Sequence, residues 1–438
     1  MKAIRRICIW SWFVTLSLQA FAAVSGNTGA KELKFDDWFA DSTLRIDYQF
    51  GGNVSSQQVM LDKQLKSSGW YGRRLKLNEL PLTGNGNITV TDKATGDTIY
   101  RNSFSSLFQE WLSTDEALTI KRSMPNTFLV PLPKRAAVIS IELLNARHEP
   151  IAAMKHVYRP DDELVEVVGE SSLPYRYLHR GGDPKEVIDV AILAEGYTEE
   201  EMDSFYVYAE KAVSAMLNHE PFKAMADRFN FVAVASPSAE SGVSIPRKGD
   251  WKQTAFGSHF STFYSDRYLT TDRLPQVHDA LRGIPYEHII ILANTPEYGG
   301  GGIFNSYVMS SAKHPAMPPV IVHEFGHSFG GLGDEYFYEG DVMEDSYPTD
   351  VEPWEPNLTT LVDFGSKWEN LIEQGTPIPT PVADAKRYAT GVFEGGGYSA
   401  KGVYRPADEC RMRNNTYPTF CRVCDAAIRN LILFYTEP

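Results

Sequence analysis

The seven residues from Val187 to Leu193 are all apolar except Asp189. A run this short and this apolar is typical of a strand buried on both faces, as in a parallel sheet covered by two layers. Gly196-Tyr197 ends the run. Residues 229–235 and 286–293 repeat the pattern and predict two further strands.

A helix is predicted between the first two of these strands. Thr198 followed by Glu201 has the spacing of a capping box, and the helix extends to about Leu217. Strands that alternate with helices predict an α/β domain, which we place at residues 170–438. At roughly 100–200 residues per domain, the length of 438 residues leaves room for a second domain.

Residues 23–165 have a different pattern, in which short alternating runs are separated by turn residues such as Gly51-Gly52-Asn53. This pattern predicts an N-terminal β-sandwich. The acidic stretch Asp161-Asp-Glu163 is the predicted boundary. The predicted strands are 42–50, 87–91, 98–100, 128–132 and 137–144.

The first 22 residues have the composition of a secretory signal peptide. Lys2, Arg5 and Arg6 precede the mostly apolar run 7–21, and Ala20-Phe21-Ala22 matches the small-x-small cleavage pattern. We therefore expect residues 1–22 to be removed and the protein to be exported to the periplasm, the cell surface or the medium. An uncleaved N-terminal anchor is the alternative.

Charge and hydropathy exclude two classes of partner. Lys and Arg total 42 against 56 Asp and Glu, a formal charge of −14, so a nucleic-acid partner is not expected. No later run approaches the roughly 18 apolar residues of a transmembrane span.

The segment His323-Glu-Phe-Gly-His327 follows the apolar residues Val320-Ile-Val322. Residues four apart lie on one face of a helix, so His323 and His327 can bind the same zinc ion. Glu324 can take a proton from the attacking water and pass it to a leaving amine. The alternative is a buried helix with two ordinary core histidines.

Catalytic zinc usually has a third protein ligand. No His follows His327, but Gly330-Gly331-Leu332-Gly333 can turn the chain back under the helix, because glycine tolerates positive φ. We expect Asp334, next along the chain, to be this ligand, or else a carboxylate that orients a histidine. The rival ligands are Glu335, Glu369 and Glu373.

Three cysteines lie close together near the C-terminus: Cys410, Cys421 and Cys424. In an exported protein they predict one local disulfide, which leaves one thiol over. A three-thiolate metal site is the alternative, although no nearby His supplies a fourth ligand.

The chain resembles the IgA peptidase family of zinc metallopeptidases, within the wider metzincin-like group. The resemblance runs from about Ile188 to the C-terminus and depends most on His323-Glu-Phe-Gly-His-Ser-Phe-Gly-Gly-Leu-Gly-Asp-Glu-Tyr336. Supporting segments are Asp189-Val-Ala-Ile-Leu-Ala-Glu-Gly-Tyr-Thr-Glu-Glu-Glu-Met202, Pro237-Ser-Ala-Glu-Ser-Gly-Val243, Tyr298-Gly-Gly-Gly-Gly302, Cys410-Arg-Met412 and Phe420-Cys-Arg-Val-Cys424. The family name implies an immunoglobulin or another extracellular protein as substrate.

The resemblance implies further roles. Met412 corresponds to the methionine that metzincin-like enzymes place in a turn beneath the zinc, although it could equally fill a core gap. The loop of Tyr298, Gly299, Gly300, Gly301 and Gly302 could pair with a substrate strand, because glycines let two backbones approach closely, or could simply be flexible. Tyr336 and Tyr417 are candidate hydrogen-bond donors to the developing oxyanion.

The sequence therefore predicts an exported zinc endopeptidase that acts on protein or peptide substrates. Alternatives are a zinc aminopeptidase and a surface protein that binds glycan or protein and holds only structural zinc. Asp341, Glu344 and Asp345 form an acidic cluster, which we expect to be a solvated loop, with Ca²⁺ binding as the alternative. The predicted fold is a multidomain α+β/α/β chain, in which the sandwich precedes a metzincin-like α/β domain.

Overall fold

A computed structural model of the chain describes residues 33–337 and 346–438. The predicted signal peptide, residues 1–22, and the acidic cluster Asp341, Glu344 and Asp345 lie outside the described residues. Among the described residues, the helices are too short or too polar to cross a bilayer.

The N-terminal region consists of two four-stranded sheets and two short helices. Its helices are α1 (Phe35–Trp38) and α2 (Leu107–Trp111). Its strands are β1 (Phe39–Asn53), β2 (Ser56–Ser68), β3 (Gly86–Asp92), β4 (Thr98–Phe104), β5 (Arg122–Pro133), β6 (Ala137–Leu144), β7 (Pro150–Tyr158) and β8 (Glu166–Val167). The strand orders are β5-β1-β2-β8 and β4-β3-β6-β7.

These two sheets share one apolar core, which is the packing of a β-sandwich. Ile46 and Tyr48 of β1 belong to the same buried cluster as Ile139 and Ile141 of β6. Alternate residues of a strand point to the same face, so each strand contributes every second side chain to this core. All five strands predicted in this region are present, with β6 at the predicted bounds.

The described residues of the C-terminal region form a six-stranded sheet, a β-hairpin and four α-helices. Its strands are β9 (Tyr175–Arg180), β10 (Ile188–Glu195), β11 (Phe229–Val234), β12 (His288–Ala293), β13 (Gly300–Ile303), β14 (Tyr307–Ser311), β15 (Phe393–Gly396) and β16 (Ser399–Arg405). Its helices are α3 (Met202–Leu217), α4 (Leu274–Ala280), α5 (Met317–Ser328) and α6 (Arg422–Thr436).

The order of the six-stranded sheet is β13-β14-β12-β10-β11-β9, and β15 pairs with β16 in the hairpin. Strands β11, β10, β12 and β14 are parallel, while the edge strands β9 and β13 are antiparallel to their neighbours. The predicted mixed architecture of several sheets and helices is therefore confirmed. A metzincin-like fold stays a prediction.

Both faces of the central strand β10 are covered, as its apolar sequence predicts. Val190 and Ile192 pack in a core that includes residues of α3, α5 and α6. Ala191 and Leu193 face a second core, which includes residues of α4. The predicted capping box is also present, because Thr198 and Glu201 each bond the other's backbone at the short 3₁₀ turn before α3.

The described residues from Leu33 onward form one compact unit. The Arg45 guanidinium of β1 donates to the Asp47 carboxylate at 2.9 and 2.8 Å and to Asp279 of the C-terminal region at 2.8 Å. Leu107 and Leu129 of the N-terminal region also pack against the core beneath the six-stranded sheet. The two regions are therefore joined by both polar and apolar contacts.

Candidate metal centre

Helix α5 presents His323, Glu324 and His327 along consecutive turns. Pro318 lies in its first turn, where a missing N–H costs no intrahelical bond. The Nε2 atoms of His323 and His327 are 3.0 Å apart, as the four-residue spacing on one helix face predicts. The two imidazoles therefore point at a common position.

The other nitrogen of each ring is engaged by the backbone. His323 Nδ1 is 2.9 Å from the carbonyl oxygen of Arg411, and His327 Nδ1 is 2.6 Å from that of Leu332. A carbonyl oxygen only accepts, so each Nδ1–H is the donor. The two Nε2 atoms are left to face each other, which is how metal-binding histidines are oriented.

Asp334 closes the cluster. The chain turns back after α5 through Gly331, whose φ is 60°. Asp334 Oδ1 lies 3.1 Å from His323 Nε2 and 3.3 Å from His327 Nε2, and this buried oxygen has no hydrogen-bond donor among the described residues. Two imidazole nitrogens and a carboxylate oxygen in mutual contact are stabilised by a positive charge, which a proton or a metal ion can supply.

Electrostatics agree with a cation at this position. Burial disfavours a charged imidazole, yet attraction to Asp334 outweighs burial and raises the pKa of His327 to about 9. The pKa of Asp334 is held well below its usual range although burial opposes this, because the two histidines attract its negative form. A divalent ion can bond to all three atoms at once, so the donor set of two imidazoles and one carboxylate fits zinc.

The three rival ligands lie elsewhere. Glu335 is buried but points into a different cluster, with the cysteines. Glu369 and Glu373 are exposed on the surface. Among the described residues, Asp334 is thus the carboxylate that the structure brings to the two histidines.

Glu324 lies beside this cluster without joining it. Burial raises the pKa of its carboxyl group, while the two histidines oppose the rise. Arg267, which the sequence analysis did not single out, also acts on Glu324 through its positive charge. A half-buried carboxylate next to the ligands is suitably placed to exchange protons.

The glycine segment after Tyr298 forms a strand, β13, from Gly300 onward, rather than a flexible loop. A Cβ on Gly302 would lie 2.2 Å from the backbone oxygen of Glu324. Two backbones therefore do approach closely here, but they are those of β13 and α5 rather than of β13 and a substrate strand. β13 is an edge strand of the sheet, so a substrate strand could pair with it. That pairing stays a prediction.

Met412 is fully buried directly behind α5. A Cβ on Gly326 would come within 2.8 Å of its sulfur, so the methionine fills the space beside a glycine that lies between the two histidines. The Met412 carbonyl oxygen accepts from the Glu335 N–H at 2.9 Å. Its supporting role beneath a metal stays a prediction.

One of the two predicted tyrosines lies near the cluster. Tyr336 packs edge-on against Tyr398 at a ring-centroid distance of 5.3 Å. Tyr398, which the sequence analysis missed, donates its hydroxyl hydrogen to Asp334 Oδ2. Tyr417 is half-buried in the turn before α6, where its N–H donates to the Asn414 carbonyl at 3.0 Å.

The N-terminal region also reaches this site. Glu110 of α2 accepts a hydrogen bond from the Tyr268 hydroxyl. Burial raises the pKa of Glu110 to about 7, and its charge interacts with His327 and Glu324. No sequence signal marks this residue, because the chain brings it to the site from far upstream.

The predicted disulfide is not formed. Cys410, Cys421 and Cys424 are free thiols, and the Sγ atoms of Cys410 and Cys424 are 3.8 Å apart. A disulfide holds its sulfurs at about 2.05 Å. The prediction from the cysteine count was therefore wrong for this structure.

A helix that presents two imidazoles and a free carboxylate, with a second carboxylate completing the ligand set, is typical of metal-dependent hydrolases. The sequence comparisons name the family. Residues 177–390 and 383–432 match the sequence profile of IgA Peptidase M64, and residues 34–154 match that of the Peptidase M64 N-terminus. The chain belongs to the M64 peptidase family, which indicates a peptidase with protein substrates. No curated protein is detectably similar.

Proposed function

We propose that this protein is a zinc-dependent endopeptidase that is exported and cleaves proteins outside the cytoplasm. Convergence of His323 Nε2, His327 Nε2 and Asp334 Oδ1 within 3.3 Å supports this most directly. The family indicates peptide-bond cleavage. The signal-like composition of residues 1–22 supports export.

Each residue of the site has a defined part in this proposal. His323, His327 and Asp334 would hold the zinc, which polarises the scissile carbonyl and activates water. Glu324 accepts the proton of the attacking water and delivers it to the leaving amine. Tyr336, close to the Asp334 side of the cluster, is the candidate donor to the developing oxyanion.

Replacement of Glu324 by Gln tests the assignment of the base. Gln has nearly the same shape but cannot accept the proton, so we expect cleavage of a protein substrate to fall by about 100-fold or more. Bound zinc, measured by elemental analysis, should be unchanged, because Glu324 is outside the ligand cluster. Equal cleavage by both proteins would overturn the mechanism.

Glu373→Gln is the matched control. It makes the same chemical change at an exposed glutamate that was a rival ligand on sequence grounds. We expect wild-type cleavage and wild-type zinc content from this variant. A lower zinc content in Glu373→Gln would instead indicate that Glu373, rather than Asp334, is the third ligand.

The type of peptidase is tested with blocked peptides. An endopeptidase cleaves peptides whose amino terminus is acetylated, whereas an aminopeptidase needs the free amine. We expect internal cleavage of acetylated peptides, read by mass spectrometry. Removal of single N-terminal residues from unblocked peptides only would favour the aminopeptidase. A surface binding protein with structural zinc would cleave neither kind of peptide.

A further inference from the structure

A second group of potential ligands lies behind the first. It consists of Glu335, Cys410, Cys421 and Cys424, whose ligand atoms all lie within 4.8 Å of one another. Cys410 precedes Met412 by two residues, and the other two cysteines bracket the first turn of α6. Three separate segments of the chain thus meet at one point.

The spacing of the sulfurs fits a tetrahedral metal site. Sulfur atoms about 2.3 Å from a tetrahedral zinc ion lie roughly 3.8 Å apart. The Sγ atoms of Cys410 and Cys424 are 3.8 Å apart, and Cys424 Sγ is 3.1 Å from Glu335 Oε1. The thiols are therefore at the separation that two ligands of one ion require.

Glu335 supplies the independent observation. Its exposed fraction is 0%, and it lies deep beside an apolar core. Oε1 accepts from Asn357 Nδ2 at 3.0 Å, but Oε2 has no hydrogen-bond partner among the described residues. A buried carboxylate is strongly disfavoured unless a proton or a cation neutralises it, and a metal ion would bond directly to the unpartnered Oε2.

The backbone around the sulfurs is arranged for thiolates. The Cys421 N–H donates to Cys410 Sγ at 3.2 Å, and the Met412 N–H points at the same sulfur at 3.5 Å. Cys421 is the N-cap residue of α6, where the helix dipole favours negative charge. These donors satisfy the sulfur lone pairs that a metal leaves free.

We propose that Cys410, Cys421, Cys424 and Glu335 form a second, structural zinc site with a closed four-ligand set. On binding, three thiols release their protons to solvent, and three thiolates with one carboxylate surround the ion. The four ligands carry four negative charges against two on zinc. The buried guanidinium of Arg405, whose charge acts on Glu335, offsets part of the remainder.

The position of this site gives it a structural purpose. Glu335 directly follows Asp334, the third ligand of the first cluster, and Cys410 lies two residues before Met412, which packs behind α5. An ion at the second site would tie both segments to α6. It would thereby fix the carboxylate and the methionine that border the first cluster.

Metal counting tests the proposal in the full-length protein. We expect two zinc ions per chain in the wild type, one in Cys421→Ala and one in the double variant His323→Ala/His327→Ala. The double variant loses the first site only, so failure of the proposed catalytic site and failure of this second site give different counts. No zinc in the folded double variant, or two in folded Cys421→Ala, overturns the second site, whereas one zinc in both the wild type and the double variant means that only the first site has failed.

Cobalt substitution provides a readout that needs no cysteine variant to fold. The His323/His327 double variant, loaded with Co²⁺ alone, should show thiolate-to-cobalt charge-transfer absorption, which a site of histidines and a carboxylate does not produce. No such absorption would overturn the proposal. Alkylation of the denatured, unreduced protein should modify all three cysteines. A cross-linked Cys410–Cys424 peptide would show a disulfide and would equally overturn it.

Discussion

At the scale of single residues, the two carboxylate oxygens of Asp334 contact different partners. Oδ1 faces the histidine nitrogens, whereas Oδ2 accepts the hydrogen bond from Tyr398. A hydrogen bond to the distal oxygen of a ligand carboxylate fixes its orientation, and losing such a partner typically weakens metal affinity 10–100-fold. Tyr398 is thus placed to position the carboxylate of Asp334, the proposed third ligand.

Tyr398→Phe removes only the hydroxyl group. We expect zinc affinity at the first site to fall about tenfold, measured by competition with a coloured chelator. Tyr264→Phe, the same change at a tyrosine that is 83% exposed, is the control and should leave affinity unchanged. Identical affinities in all three proteins would mean that the Tyr398 bond does not support the ligand.

The burial of His288 predicts that stability depends on pH. Its ring packs against Phe325 and Phe329, and burial lowers its pKa to about 3. In the unfolded chain the imidazole of His288 is protonated below about pH 6.5, whereas in the folded protein it stays neutral down to about pH 3. Between these two pH values the unfolded state binds one proton more, so stability is lost as the pH falls from about 6.5 towards 3.

His288→Phe should remove this loss. Between pH 7 and 4.5, the free energy of unfolding of the wild type should fall by roughly 2 kcal/mol more than that of the variant. Urea denaturation at the two pH values measures both. Parallel losses in the two proteins would show that His288 titrates normally in the folded state.

Residues of the first cluster could be predicted because they are close in sequence. The spacing of His323 and His327 follows from the helical repeat, and Asp334 comes directly after a glycine turn. Tyr398 and the pairing of Glu335 with the distant cysteines had no such signal, because tertiary contacts bring those segments together. Because Glu335 is far from the three cysteines in sequence, it could not be recognised as their neighbour, and the cysteines alone predicted a disulfide.

At the scale of elements, the packing of β13 on α5 sets the position of the Glu324 backbone. Gly302→Ala would place a methyl group 2.2 Å from the Glu324 carbonyl oxygen, so strand and helix must separate. We expect a loss of about 1–3 kcal/mol in stability, as for other overpacked sites, together with reduced cleavage. Thermal unfolding and protein digestion measure the two effects.

Gly169→Ala is the matched control for this change. A Cβ at Gly169 would meet nothing within 4 Å, and its backbone is not in the left-handed region. Stability and cleavage should stay at wild-type levels. If Gly302→Ala were equally silent, the contact between β13 and α5 would not constrain the site.

Strand prediction succeeded where burial was strong. The run that became β10 is buried along its whole length, and the alternation that became β6 matches its one-sided burial. Strand β2 was missed because its residues are mostly polar and half-exposed. Strand β13 was missed because glycine carries no side-chain pattern, and its strand conformation arises from pairing with β14.

At the scale of the whole molecule, Arg45 connects the two family regions. Its guanidinium is buried and bonds Asp47, Asp279 and the Pro275 carbonyl oxygen. Arg45→Met leaves the buried Asp47 carboxylate without its main partner, so we expect a loss of about 3–5 kcal/mol in the free energy of unfolding. Urea denaturation measures it.

Arg147→Met is the control for this prediction. Arg147 also joins the two regions, through Asp350 at 2.9 Å, but both side chains are exposed. We expect a much smaller loss than in Arg45→Met, because exposed ion pairs are screened by water and contribute little to stability. Equal losses in the two variants would mean that burial does not strengthen the Arg45 connection.

The apolar contacts between the regions matter to anyone who wishes to dissect the protein. Leu107 and Leu129 complete the layer under the six-stranded sheet, and Phe263 in return packs against the sandwich core. Each region therefore buries apolar side chains against the other. If one region were produced alone, these side chains would be exposed to water and the fragment would tend to aggregate, so the two regions are best co-expressed.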